Sequence, residues 1–99
     1  MLFHATFRYK TGTTHDDQKA ALKLFENWQP PAGIDIMSFV FGTDSTGFAL
    51  IEAESAEAMM EATAIWAGVL LDYDVIPVVP VSTAVETFQK AIAYRKTTL

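Results

Sequence analysis

Apolar and polar residues alternate along the first ten positions of the chain, which is the pattern of a half-buried strand. Apolar side chains would face one side of this strand: Phe3, Ala5, Phe7 and Tyr9. Polar side chains would face the other side: His4, Thr6, Arg8 and Lys10. The strand order derived below places this strand in the middle of the sheet, and a polar face on such a strand needs an explanation.

The pattern then changes to the spacing of a helix. Thr14 is the expected N-cap, and Asp16 and Asp17 in the first turn suit the positive end of the helix dipole. One face of this helix is apolar, with Ala21, Leu22, Phe25 and Trp28. Two prolines, Pro30 and Pro31, stop the helix, because the residue before a proline avoids the helical region.

Two strands joined by a glycine-containing loop follow. The second strand, Ile34 to Phe41, is expected to be apolar on both faces. Strict alternation puts Ile34, Ile36 and Val40 on one side and Met37, Phe39 and Phe41 on the other. The third strand, Phe48 to Glu54, alternates Phe48, Leu50, Glu52 and Glu54 with Ala49, Ile51 and Ala53.

The last part of the chain reads as helix, strand and helix. Ser55 would cap a second helix, which carries a stripe of Met59, Ala62, Trp66 and Val69. A fourth strand, Asp72 to Val81, is expected to be apolar on both faces and to lie at an edge, because Pro77 and Pro80 cannot donate to a ladder. Ser82 would cap a C-terminal helix that docks by Val85, Phe88 and Ile92.

This order predicts a single α+β domain over residues 1–99, a ferredoxin-like βαββαβ fold with a C-terminal helix. Two right-handed split βαβ units give an antiparallel sheet of order 4-1-3-2, with two helices on one face. The two-sided apolar strands require a cover for the other face. Either the C-terminal helix or a second subunit supplies it, and we expect a homodimer through the sheet face.

Composition and charge exclude several classes of protein. Of 99 residues, 51% are hydrophobic, and the net charge is −5 with scattered lysines and arginines, so a nucleic-acid partner is not expected. The chain has no cysteine, and its two histidines lack the spacing of a zinc or haem site, so no cofactor is expected. No leader and no spanning segment is apparent, which predicts a soluble cytoplasmic protein without a membrane partner.

Three segments of the second half carry a resemblance: Gly47-Phe-Ala-Leu-Ile-Glu-Ala-Glu54, Ala62-Thr-Ala-Ile-Trp-Ala67 and Tyr73-Asp-Val-Ile-Pro-Val-Val79. Here the chain resembles an uncharacterised bacterial family, a domain of unknown function, within the dimeric α+β barrels. The resemblance implies a sheet-to-sheet dimer with a ligand cavity between sheet and helices or inside the barrel. That superfamily includes cofactor-free quinone-forming monooxygenases, haem-degrading enzymes, muconolactone isomerase-like proteins and stress-response proteins.

Two residues are candidates for catalysis. His4, on the polar strand face, could act as a general base or orient a ligand, or it could be a polar residue satisfied at a dimer contact or at the sheet end. Glu52 is costly to bury unpaired, so it needs a partner and could serve as an acid or base.

Three residues are candidates for ligand binding. Arg8 could bind a carboxylate or enolate oxygen, or pair with an acid on a neighbouring strand, for which Glu52 is the obvious choice. Trp66 could wall an aromatic ligand or simply be core, and the hydroxyl of Tyr73 could donate to a ligand. We expect one pocket formed by His4, Arg8, Glu52 and Trp66.

Two functions are compatible with these features. The protein could bind or transform a small apolar metabolite held in the sheet cavity. Alternatively, it could be a non-catalytic regulatory or assembly dimer that acts through its dimer surface or its C-terminal helix. The sequence does not decide whether it is an enzyme.

Overall fold

The computed structural model describes residues 1–66 and 71–98, which form four strands and three helices in the predicted order. The strands are β1 (Leu2–Tyr9), β2 (Ile34–Phe41), β3 (Gly47–Ala53) and β4 (Leu71–Val78). The helices are α1 (His15–Asn27), α2 (Ala56–Ala64) and α3 (Val81–Thr98). Val69, which the sequence places on the second helix, lies outside the described residues.

The four strands form one antiparallel sheet of order β2-β3-β1-β4, which confirms the predicted ferredoxin-like topology. β1 lies between β3 and β4, with Ala5 opposite Ala49 on one side and Val75 on the other. Pro77 lies on β4, an edge strand, as the missing donor of proline requires. Helices α1 and α2 cover one side of the sheet, here called the helix face, and the other side is called the open face.

Both helix starts on the helix face follow the predicted capping chemistry. The Thr14 hydroxyl accepts a hydrogen bond of 3.1 Å from the Asp17 amide, and the Asp17 carboxylate accepts one of 3.1 Å from the Thr14 amide. This reciprocal capping box satisfies two amides of the first turn. The Ser55 hydroxyl caps α2 in the same way, accepting from the Ala58 amide at 3.1 Å.

The second strand departs from strict alternation. A bulge at Met37 shifts the β2–β3 register between Ile36 and Ser38. The extra residue returns Phe39 and Phe41 to the helix face, opposite Ala49 and Gly47, beside Ile34 and Ile36. The open face of β2 therefore carries Asp35, Ser38 and Val40, so the prediction of a strand apolar on both faces is wrong for β2.

The fourth strand also differs from the prediction, both in the residue at which it ends and in the residues on its open face. It ends at Val78, and its open face combines the carboxylates of Asp72 and Asp74 with the apolar Ile76 and Val78. Only the end of β4 near Val78 is apolar on both faces. The edge strand is thus half polar on its open face.

The buried core is small and lies between the sheet and α2. It consists of Phe3, Ala5, Ala49, Ile51, Ala53 and Met59, with Ala21 of α1 and Ala62 of α2 also buried. Five of these eight side chains are alanines, a composition that leaves space between sheet and helices.

Helix α3 projects away from the rest of the fold. It begins at Val81, directly after Pro80, so Ser82 lies in its first turn and is not the cap that the sequence predicts. The side chains of Val85, Phe88 and Ile92 are 45%, 63% and 56% exposed, so α3 does not dock on the described part of its own subunit. The radius of gyration is accordingly 17.5 Å, against about 13 Å for a compact domain of this length.

Of the helices within residues 1–66 and 71–98, none combines the length and apolar character that a bilayer-crossing helix requires.

Candidate functional site

A cavity of about 210 Å³ opens between the helix face of the sheet and the two helices that cover it. Its walls come from all four strands, from α1 and from the end of α2. Most residues that line it are apolar, and Arg8, Ser45, Thr63 and two tyrosines also border it. It is the feature of the described chain that best fits a small-molecule site.

Small side chains create this space. Ala5 and Ala49 lie opposite each other on the two central strands and form the floor, and both are buried. Ala21 of α1 and Ala62 of α2 line the cavity from above, and they too are buried. Larger side chains at these four positions would fill the gap, so the cavity follows directly from the alanine pattern.

Gly47, at the start of β3, positions one of the aromatic rings that line the cavity. Gly47 lies opposite Phe7 in the β1–β3 ladder, and the Phe7 ring crosses the place where a Cβ atom of residue 47 would be. Only a glycine leaves room for the ring in this position, which directs Phe7 over β3 and towards the aromatic residues of β2.

Aromatic rings form a continuous wall along the cavity. The Phe7 ring lies 5.3 Å from Phe39 and 5.8 Å from Phe41, both in edge-to-face geometry. The Phe39 ring lies 5.5 Å from Phe25 of α1, so the wall passes from sheet to helix. These centroid distances lie in the favourable range for aromatic pairs. None of these rings was among the residues selected from the sequence as a pocket wall, and Phe25 was predicted only on the apolar face of the first helix.

Two tryptophans continue the wall. Trp28, at the end of α1, packs its ring at 5.8 Å and 76° against Trp66, just past the end of α2. The Trp66 ring also lies 6.4 Å from that of Phe25. Trp66 is thus a cavity residue, although α2 ends at Ala64 and the tryptophan stands in the turn that follows, not on the helix as predicted.

Tyr73 lies on the helix face of β4 and lines the same cavity. Its hydroxyl donates a hydrogen bond of 3.2 Å to the carbonyl oxygen of Thr63, in the last turn of α2. The Trp66 amide donates to the same oxygen at 3.0 Å. The structure therefore brings the predicted ligand residues Trp66 and Tyr73 together, and one carbonyl links them.

The two predicted catalytic residues lie elsewhere, on the open face. His4 is half-buried between Leu50 and Ile76 in the ladders, with its ring 6.4 Å from that of Phe48. Glu52 lies opposite Leu2, one step along from His4 on the same face. Its carboxylate is about half exposed, so the burial that would have required a partner is absent, and it pairs with the Met1 ammonium group at 2.9 Å.

Arg8 is at the other end of the open face, and the expected Arg8–Glu52 pair is wrong. Glu52 lies opposite Leu2, six residues from Arg8 along β1, or about 20 Å at the rise of a strand. Arg8 instead lies opposite Asp72 and borders both the cavity and a shallow polar depression with Thr6, Asp72 and Asp74.

The surroundings of Asp44, in the β2–β3 loop, favour the ionised form of its carboxyl group. The Thr46 amide donates to its carboxylate at 3.1 Å. Hydrogen bonds from Thr46 hold the pKa of Asp44 below its usual value, and the positive charge of Arg8 adds a smaller contribution in the same direction. The loop therefore favours an ionised carboxylate near the Arg8 end of the sheet.

The prediction of one pocket containing His4, Arg8, Glu52 and Trp66 is wrong, because neither His4 nor Glu52 lines the cavity that Trp66 and Arg8 border. Trp66 and Tyr73 line the helix-face cavity, and Arg8 borders it. His4 and Glu52 share the open face. Sequence reasoning missed Phe39 and Phe41 as cavity residues. The signal that could have found them is that β2 has apolar residues in both of its alternating sets of positions, a pattern that a bulge produces.

Comparison with known proteins places the chain in a family. A family model described as a domain of unknown function (DUF3303) matches residues 1–92. No curated protein and no solved structure matches the chain. Because the matching region covers nearly the whole chain, the protein belongs to the DUF3303 family.

Proposed function

We propose that this protein binds a small, largely apolar molecule, best an aromatic one, in the helix-face cavity. The observation that carries the proposal is the cavity itself, a space of about 210 Å³ between alanines of the sheet and helices, walled by aromatic rings. The lining rings of Phe25 and Phe41 are 41% and 59% exposed, so a ligand in this space would remove apolar surface from water. A continuous aromatic wall offers edge-to-face and stacking contacts to another ring.

The volume limits the size of the ligand. Drug-sized ligands occupy pockets of about 300–1,000 Å³, whereas a closed apolar cavity of about 150 Å³ holds benzene. A cavity of about 210 Å³ therefore fits one aromatic ring with a substituent or a compact bicyclic molecule. The guanidinium group of Arg8, where it borders the cavity, would suit an oxygen substituent that carries negative charge.

In this proposal Trp66 and Tyr73 are ligand-binding residues. Trp66 supplies an aromatic face that Trp28 and Phe25 hold in place. Tyr73 supplies its ring, while its hydroxyl is occupied by the Thr63 carbonyl. Their shared attachment to Thr63 favours a fixed geometry at this end of the cavity.

Titration with nitrobenzene, a small aromatic quencher, tests the proposal. The chain has two tryptophans, and both line the cavity, so their fluorescence reports on its occupancy. We expect saturable quenching with a Kd on the order of 0.1 mM, the affinity of a ligand with nine heavy atoms. N-acetyltryptophanamide in the same titration gives the collisional background.

Quenching that stays linear and equal to this background up to several millimolar nitrobenzene would contradict the proposal. A saturable signal accompanied by a rise in melting temperature would support it, because a ligand that binds the folded state stabilises it.

The open face supports a second candidate function, that of a homodimer built as a dimeric α+β barrel. Val40, Phe48 and Ile76 are exposed there, around the half-buried His4. We infer that a second copy covers this face, sheet against sheet. His4 and Glu52 would then line the interior of the barrel, where an acid–base role for them is possible, and a regulatory or assembly dimer would use the same contact without chemistry.

A further inference from the structure

Helix α3 carries an apolar stripe of which no residue is buried against the described part of the chain. Val81, Val85, Phe88 and Ile92 are spaced by four, three and four residues, and they are 79%, 45%, 63% and 56% exposed. This spacing is that of the a and d positions of a coiled-coil heptad, which bring one seam of a helix onto another helix.

An isolated helix of this kind needs a partner. Most helical stability in proteins comes from packing of an apolar face, and α3, with 18 residues, has no buried residue. At 1.5 Å per residue α3 reaches about 27 Å from Pro80, which accounts for much of the 59 Å length of the subunit.

We propose that α3 pairs with α3 of a second copy of this chain, side by side and antiparallel. The pairing extends the homodimer proposed above, on which it rests for the presence of a second copy, and adds a contact that the open sheet face does not make. In the register that places Val81 against Ile92 of the other copy, Val85 faces Phe88. All four apolar residues of each helix are then buried, and the contact is self-complementary, as a two-fold interface requires.

Charge favours the antiparallel direction. The helix carries three basic residues, Lys90, Arg95 and Lys96, and one acid, Glu86. In a parallel pair the basic ends would lie together and repel. In the antiparallel register each basic end lies beside the end of β4 in the other copy.

That end of the sheet is acidic. Val78 of β4 lies in one row across the sheet with Leu2, Glu52 and Asp35. Asp35 lies directly opposite Glu52, a like-charge pair in which the Met1 ammonium group pairs with the Glu52 carboxylate. Outside α3 the chain has eleven acidic and four basic residues, so the basic tip of α3 complements the body of a second copy.

Disulfide cross-linking tests the pairing, because the chain has no cysteine of its own. One variant carries Val81→Cys and a second carries Ile92→Cys. A mixture of the two variants should cross-link on oxidation, since the residues face each other. Each variant alone should not, because identical positions are about 16 Å apart along an antiparallel pair, beyond the reach of a disulfide.

Cross-linking of each variant with itself would overturn the antiparallel arrangement, because only parallel helices bring identical positions together. Absence of a cross-link in every sample, including the mixture, would overturn the pairing of α3 with α3 altogether. That result would point to α3 docking on another surface.

Two charge substitutions on α3 provide a matched comparison in solution. Phe88→Glu on the stripe should raise the dimer Kd by at least roughly 10-fold, whereas Tyr94→Glu, also exposed but off the stripe, should leave it within about 2-fold. Equal effects of the two substitutions would contradict the proposal.

The sheet contact is tested separately. Ile76→Glu on the open face should dissociate the sheet interface without touching α3. If Ile76→Glu dissociates the dimer but Val81→Cys and Ile92→Cys do not cross-link, the proposed sheet contact is supported and the α3 pair is overturned. If Ile76→Glu does not dissociate the dimer but Val81→Cys and Ile92→Cys do cross-link, the α3 pair is supported and the sheet dimer is overturned.

Discussion

The hydroxyl of Tyr73 donates a hydrogen bond of 3.2 Å to the carbonyl oxygen of Thr63 and so ties edge strand β4 to the end of α2. The same oxygen accepts the amide of Trp66 at 3.0 Å. A single carbonyl at the end of a short helix thus holds two residues of the cavity wall. This end of the cavity therefore combines hydrogen bonds with the ring packing of Trp66 against Trp28.

Removal of the Tyr73 hydroxyl should therefore weaken the fold by a small, defined amount. Tyr73→Phe keeps the ring and loses one half-buried hydrogen bond, so the free energy of unfolding should fall by about 1 kcal/mol. Urea denaturation followed by circular dichroism measures the change. Tyr94→Phe is the control, because Tyr94 is exposed on α3, and an equal loss in both variants would argue against the role assigned to Tyr73.

Substitution of Gly47 should be unfavourable because of Phe7. Gly47→Ala places a Cβ atom where the Phe7 ring lies, and the overpacking should cost about 1–2 kcal/mol after the gain from removing a glycine. In a chain that already carries Phe7→Leu, the same change should cost close to nothing. A double-mutant cycle measures this coupling, and additive effects would show that the ring is not the obstacle.

Much of the fold follows from the sequence because its signals are local. Thr14 and Ser55 cap helices through contacts with residues three positions away, and alternation along β1 needs no knowledge of the rest of the chain. The strand order follows from the handedness of two βαβ units. These features are settled before any long-range packing is considered.

The site was harder to predict because it depends on register and on relations between distant elements. One extra residue at Met37 moves Phe39 and Phe41 to the cavity. Arg8 and Glu52 share a sheet face, but the offset of β1 against β3 separates them. Face assignment by alternation could not show that Trp66 and His4 lie on opposite sides of the sheet, since the rotation of α2 and the turn after it are tertiary features.

The open face should control association. Ile76→Glu places a charge among Leu50, Val78 and His4, and Ile76 is 55% exposed in the single subunit, so the monomer should remain folded. We expect the particle mass from light scattering at micromolar concentration to fall to that of one chain. Ala20→Glu, on the exposed side of α1, is the control for added charge. A wild-type protein that is already monomeric would contradict the proposed sheet dimer.

The loop carboxylate of Asp44 should contribute a pH-dependent part of the stability. Its pKa is lowered in the folded state, so ionisation favours folding, and the contribution is complete above the usual value of 3.8. It is lost as the pH falls through the lower folded value. The melting temperature of wild type should exceed that of Asp44→Asn at pH 7, and the difference should shrink as the pH falls below 3.8. A difference that does not change with pH would show that the loop uses the side chain as a neutral acceptor.

The central claim is tested most directly by nitrobenzene binding to a variant in which a larger side chain on the cavity floor occupies the cavity. Ala49→Leu adds three carbons to a buried position on β3, beneath the aromatic wall, while Ala20→Leu adds the same group to an exposed position on α1. Saturable quenching of Trp28 and Trp66 should persist in wild type and Ala20→Leu, and it should be lost in an Ala49→Leu protein that melts no lower than wild type. Equal affinity in all three proteins would show that nitrobenzene binds outside the cavity and would contradict the proposed function.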